Sequence, residues 1–233
     1  MSVFTLADLH LSFSTNKPMD IFGSAWDNHV EKLEEYWNYM VLPEDTVVVP
    51  GDISWAMNMD EAIEDFRFIN SLNGKKIIMK GNHDYWWQSM KKLGEFTKEH
   101  SFDTISFLHN TAEIAENLII CGSRGWSCES SPSAEDRKIN AREAIRFELS
   151  ITEAEKLNAD SQREIVVFSH YPVLFPGEET SPILEVLVRH NVKRLYYGHL
   201  HGVRENQLLK RAGGIDLELV SADFRHFTPV RVN

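Results

Sequence analysis

The feature that most constrains this chain is a repeated pairing: a short apolar run stops abruptly on a side chain whose oxygen or nitrogen can bind a metal. Ile77-Ile78-Met79 leads into Lys80-Gly81-Asn82-His83-Asp84, and the run at 2–7 leads into Asp8-Leu9-His10. Residues 46–49 lead into Gly51-Asp52, 164–168 into Ser169-His170, and 192–197 into Gly198-His199-Leu200-His201. Apolar, β-branched runs bounded by Gly or Pro read as strands. A set of strands that each end on a donor implies a sheet whose carboxyl edge collects those donors, which is where open α/β folds bind ligands.

Between these runs the period changes. Trp26, Val30, Leu33, Trp37 and Met40 recur at helical steps and predict a helix over 24–41, with both tryptophans in the core. Asn58 and Glu61 have capping-box spacing ahead of a stripe of Ala62, Ile63, Phe66, Ile69 and Leu72. Residues 85–97 read as the helix that leaves the central motif, and 133–158 as a charged helix with a restart near Ser150. Ser181-Pro182 opens another. Three further strands are expected at 104–108, 113–115 and 118–122, and Gly213-Gly214 implies a closing hairpin between 208–209 and 215–220. No repeat or linker divides the chain, so residues 1–233 are expected to form one domain.

The formal net charge of -11 and the lack of a Lys/Arg run work against nonspecific binding to long nucleic acid, and no such partner is expected. A small anion is still accessible if metal ions supply local positive charge. No stretch approaches the ~18 apolar residues of a membrane span, and Asp8 and His10 leave no room for a removable leader. The expected location is the cytoplasm, with Cys121 and Cys128 as thiols.

Taken singly, an Asp after a strand caps a turn and a His is satisfied or exposed. His29, His100, His109, His190 and His226 keep that reading, whereas the other five histidines stand in strand-to-turn motifs. The ordered set D-x-H, G-D, G-N-H-D, H and G-H-x-H resembles the calcineurin-like metallophosphoesterase superfamily, of the type found in bacterial and archaeal predicted phosphohydrolases. The resemblance spans Val3 to His201. It implies an α/β fold: a four-layer α-β-β-α sandwich of two mixed sheets flanked by helices. It also implies two divalent metal ions, with Mn, Fe, Zn, Ni or Co all suited to His, Asp and Asn donors. Carried onto this sequence, Asp8, His10, Asp52 and His201 would hold one ion and Asp52, Asn82, His170 and His199 the other, with Asp52 bridging.

Two such ions would give a bridging hydroxide near neutral pH to attack phosphorus. His83, not needed as a ligand, is then free to donate to the developing charge. Asp84 could orient His83 or cap the turn. The Asp and Arg-Gly that follow the G-D motif in the protein Ser/Thr phosphatases are replaced here by Ile53-Ser54-Trp55-Ala56, which argues against phosphoprotein substrates. Arg124 and Arg204 are candidate phosphate clamps or surface residues, and Trp55, Trp86 and Trp126 candidate stacking groups or packing residues. The reading is a phosphoesterase for a small or short phosphorylated substrate, with a phosphodiesterase preferred over a monoesterase or pyrophosphatase. Its rival, a silent scaffold on the same fold, expects lost donors, and none is lost. The oligomeric state is not readable from the sequence.

Overall fold

The computed structural model of the chain describes all residues except 127–131, 160–161 and 176. The first sheet contains β1 (Val3–Thr5), β2 (Thr46–Val49), β3 (Lys75–Ile78) and β4 (Ile105–Phe107), all parallel, in spatial order β1-β2-β3-β4. The second contains β5 (Ala112–Ala115), β6 (Leu118–Ser123), β7 (Glu164–Ser169), β8 (Arg194–Tyr197), β9 (Arg211–Ala212) and β10 (Ile215–Leu219). Their order is β5-β6-β7-β8-β10-β9, with antiparallel pairs only at its two edges.

Alternation along the strands sorts the core into layers. Val48, Ile77 and Met79 face Ile120, Val166, Phe168 and Tyr196 between the sheets. On the outer face of the first sheet, Val47, Val49 and Ile78 meet helices α1 (His29–Met40), α2 (Ile63–Ser71) and α3 (Met90–Glu99) through Leu33, Trp37, Phe66 and Leu93. On the outer face of the second, Val167 and Leu195 meet α4 (Ala134–Leu157) and α5 (Pro182–Arg189) through Phe147, Ile151, Leu184 and Leu187. Each such aliphatic contributes roughly 1.5–3 kcal/mol on burial. The four-layer α-β-β-α arrangement is the one expected.

Several local expectations are corrected. The helix placed at 24–41 is interrupted: Ser24–Trp26 is a 3-10 turn, Asn28 is left-handed at φ 53, and α1 begins only at His29. The helix placed at 85–97 begins at Met90, because Ser89 accepts the N–H of Lys92 and caps it there. The Asn58/Glu61 pair does form, yet it closes the turn ahead of α2. No restart occurs at Ser150, whose hydroxyl accepts from Gly122 N at 2.8 Å and ties α4 to the sheet. The hairpin strand is 211–212, not 208–209. A final strand, β11 (Val230–Arg231), was not anticipated and pairs antiparallel with β1. Cys121 is buried and free; Cys128 lies outside the described residues. No helix among the described residues is long and apolar enough to cross a membrane.

Candidate metal centre

Because β1, β2, β3, β7 and β8 run with their carboxyl ends on shared edges, the loops that follow them meet. Pairing continues past the strands: Asp8 N–H donates to Gly51 O at 3.0 Å and His10 N–H to Asp52 O at 3.1 Å. Asp8, His10, Asp52 and His199 all adopt positive φ, at 60, 47, 53 and 71. That region is costly for side-chain-bearing residues and recurs at functional sites. The motif glycines serve close approach. A Cβ on Gly81 would lie 2.1 Å from Asp52 Oδ1, and one on Gly198 2.4 Å from Asp8 Oδ2.

Two groups of donors result, Asp8, His10 and His201 in one and Asp52, His170 and His199 in the other. His10 Nε2 and His201 Nε2 are 3.1 Å apart, and His201 Nε2 is 3.7 Å from Asp8 Oδ1. Asn82 Oδ1 joins the second group, 2.6 Å from His170 Nε2 and 2.9 Å from His199 Nδ1. Asp52 Oδ2 stands between the groups, 3.8 Å from His10 Nε2 and 3.5 Å from His170 Nε2. The ring orientations are fixed from behind: His170 Nδ1–H donates to Pro50 O at 3.1 Å and His201 Nδ1–H to Asp223 Oδ1 at 2.9 Å. All seven donors named from the sequence are therefore together.

The electrostatics fit cations. Burial, reinforced by Asp52, pushes the Asp8 carboxyl up to about 8, and burial also raises Asp52. Burial pushes His170 and His199 down to about 3 and lowers His10. Neutral imidazoles leave ring nitrogen lone pairs free for coordination, a cation would offset the cost of ionising the buried carboxylates, and a set of O and N donors without thiolate suits divalent ions.

His83 stands beside this cluster. Its backbone N–H donates to Asp52 Oδ1 at 2.8 Å, its ring lies 4.3 Å from Trp55 and 5.8 Å from His10, and its buried Nδ1 has no partner among the described residues. Asp84 does not orient it. The Asp84 carboxylate accepts from Gly81 N (2.7 Å), Asp52 N (3.0 Å), Ile53 N (2.9 Å) and Trp86 Nε1 (3.0 Å), holding two motif loops together.

The chain belongs to the calcineurin-like phosphoesterase family. The sequence model of that family matches residues 1–203, which takes in every donor above. Family membership makes the protein a metal-dependent phosphoesterase. No curated protein matches the sequence. Solved structures that share the fold include a protein of unknown function from Aquifex aeolicus, at 17% identity and TM-score 0.55, covering 99% of this chain and 95% of that one. The phosphopantetheinyl hydrolase of Mycobacterium tuberculosis is similar at 15% identity and TM-score 0.54, covering 99% and 95%. A Thermus thermophilus protein is similar at 13% identity and TM-score 0.56, covering 99% and 97%.

The surroundings divide the remaining sequence candidates. Trp55 stacks on His10, with ring centroids 5.1 Å apart, and Trp26, buried in the core as expected, also meets His10 edge-on at 5.7 Å and His201 at a tilt at 5.6 Å. With Met19, Phe22 and His83 they line a cleft of about 340 Å³. Trp86 is completely buried against Phe66, so of its two readings it is a packing residue and not a group that stacks on a ligand. Trp126 is held by Asp136 at 3.2 Å and carries the Arg124 guanidinium 5.1 Å from its ring centre. Arg204 is exposed, at the start of a 3-10 turn, outside the clefts beside the donors. Asp223 was missed. The same signal marked it, since β10 runs on through Val220-Ser221-Ala222 to this carboxylate.

Proposed function

We propose that the chain is a dinuclear-metal phosphoesterase hydrolysing a P–O bond of a small phosphorylated molecule. Asp8, His10, Asp52 and His201 would hold one divalent ion and Asp52, Asn82, His170 and His199 the other. The observation that carries this reading is Asp52, whose Oδ2 lies within 4 Å of a histidine of each group. Ions bound there supply charge for the phosphoryl oxygens and lower the pKa of a coordinated water.

The chain's own residues do the rest. Asp223 and Pro50 O fix which nitrogen His201 and His170 present, and the Asp84 network fixes Asp52. His83, tied to Asp52 through its backbone N–H and lining the cleft beside the donors, donates to charge developing on the phosphoryl group or leaving oxygen. Trp26 and Trp55 offer a flat apolar wall to the organic part of the substrate, which favours an aromatic diester or nucleotide over a bare phosphate.

Metal-reconstituted protein is assayed on nitrophenyl phosphate, bis-nitrophenyl phosphate and a nucleotide panel, beside His83→Ala and Asp52→Asn. Loss of His83 is expected to lower kcat about 10²–10⁴-fold with metal content retained. Equal rates in wild type and both variants would remove the mechanism.

A further inference from the structure

A second cleft, of about 480 Å³, is lined by none of the metal donors but by Lys80, two residues before Asn82, and by Arg124, whose backbone bonds to His170. Its walls bring together Lys80, Arg124, Arg142 and Arg146, in a chain whose net charge is -11. Two of these cations adjoin the motif loops: Lys80 immediately precedes Gly81-Asn82, and Arg124, just past β6, accepts the His170 N–H on its carbonyl at 3.1 Å. The other two stand four residues apart on α4, hence on one helix face, where like charges destabilise the helix by about 0.2–0.5 kcal/mol.

The arrangement is held in place. Glu143, fully buried beneath the cleft, accepts from Arg146 and from Ser123 Oγ at 3.0 Å. Trp126 packs on the Arg124 guanidinium. Among the described residues no carboxylate lies within ion-pair distance of Lys80, Arg124 or Arg142. The Arg146 and Lys80 charges both reach His109 at the rim, where they join burial in lowering its pKa. Glu143 pairs with Arg146 alone, so the cluster keeps an excess of positive charge, and a polyoxyanion with several acceptor oxygens matches it through paired guanidinium hydrogen bonds.

Building on the phosphoesterase reading above, we propose that this cleft binds a second, non-scissile phosphate of the substrate, so that molecules carrying two phosphates are preferred over those carrying one. The scissile phosphate would lie at the metal groups, the second phosphate on the Lys80 and Arg124 side, and an apolar moiety against Trp26 and Trp55.

A matched pair of probes tests this: a nucleoside 3′,5′-bisphosphate against its 5′-monophosphate, titrated calorimetrically into the metal-loaded protein and assayed for hydrolysis in parallel. The bisphosphate is expected to bind at least about tenfold more tightly. That preference is expected to shrink at least about fivefold in Arg142→Ala and in Arg146→Gln, the latter keeping a donor for Glu143; thermal melting verifies that both are folded. Equal affinity for the two nucleotides, or a preference unchanged in both folded variants, would overturn the proposal. Preference that depends on Arg142 without any hydrolysis would support the anion site and count against the phosphoesterase reading alone.

Discussion

Asp223 Oδ1 accepts the His201 Nδ1–H at 2.9 Å, while Asp223 Oδ2 accepts the Gly202 N–H at 2.9 Å. This pair sets the imidazole tautomer, turning Nε2 toward Asp8 and His10. Burial opposes charge on both partners, yet their mutual attraction outweighs it, raising His201 and lowering Asp223. Removing such a carboxylate behind a ligand weakens metal binding about 10–100-fold. Asp223→Asn is therefore expected to need that much more metal for half-saturation in a titration monitored by activity. An unchanged titration curve would mean that His201 is oriented by other means.

The glycines give a contrasting pair. Gly81 has no room for a methyl group beside Asp52, so Gly81→Ala is expected to displace the Asp52 carboxylate and to lose both metal and activity. Gly94, exposed within α3, has nothing within 4 Å of the position a Cβ would take. Gly94→Ala is expected to stabilise by roughly 0.5–1 kcal/mol. Urea unfolding of both variants decides it, and a destabilised Gly94→Ala would contradict the account.

Asp84 satisfies buried N–H groups of two loops and an indole at once. Asp84→Ala strands those donors, and a loss of about 3–4 kcal/mol is expected from the cost of unpaired buried groups. Denaturant midpoints at fixed slope provide the measurement. A loss below about 1 kcal/mol would show that water replaces the carboxylate.

Much of this was legible because it is local. A strand ending in Asp, Asn or His can be read from a handful of adjacent residues, and parallel strands necessarily bring such ends to one edge. What was not legible depends on tertiary neighbours. Trp86 adjoins the motif in sequence, but its indole N–H is drawn inward by Asp84. Trp26 carries a helical stripe, but the left-handed Asn28 breaks the helix and turns Trp26 against His10 and His201. Ser150 has cap spacing, but its hydroxyl is engaged by β6. Arg142 and Arg146 read as a solvated helix face until the loops carrying Lys80 and Arg124 are placed opposite them.

His190 links α5 to α4, with Nε2 2.8 Å from Glu148 and Nδ1 2.8 Å from Glu155. Burial disfavours the imidazolium, but the two glutamates outweigh it and raise the pKa above 6.5. A raised folded-state value means that the stabilisation is complete below the unfolded value of 6.5 and is lost as pH rises through the folded value. The gap in Tm between wild type and His190→Gln is expected to be widest in mild acid and to close toward alkaline pH. A gap independent of pH would remove the ion pairs as its cause.

The most direct test of the central claim is metal stoichiometry by elemental analysis of the reconstituted, gel-filtered protein, with turnover measured on the same samples. The account predicts two ions per chain in wild type and in His83→Ala, fewer in Asp52→Asn, and turnover abolished by chelation and restored by divalent metal. One ion or none in a fully active wild type, or full occupancy and activity in Asp52→Asn, would contradict it.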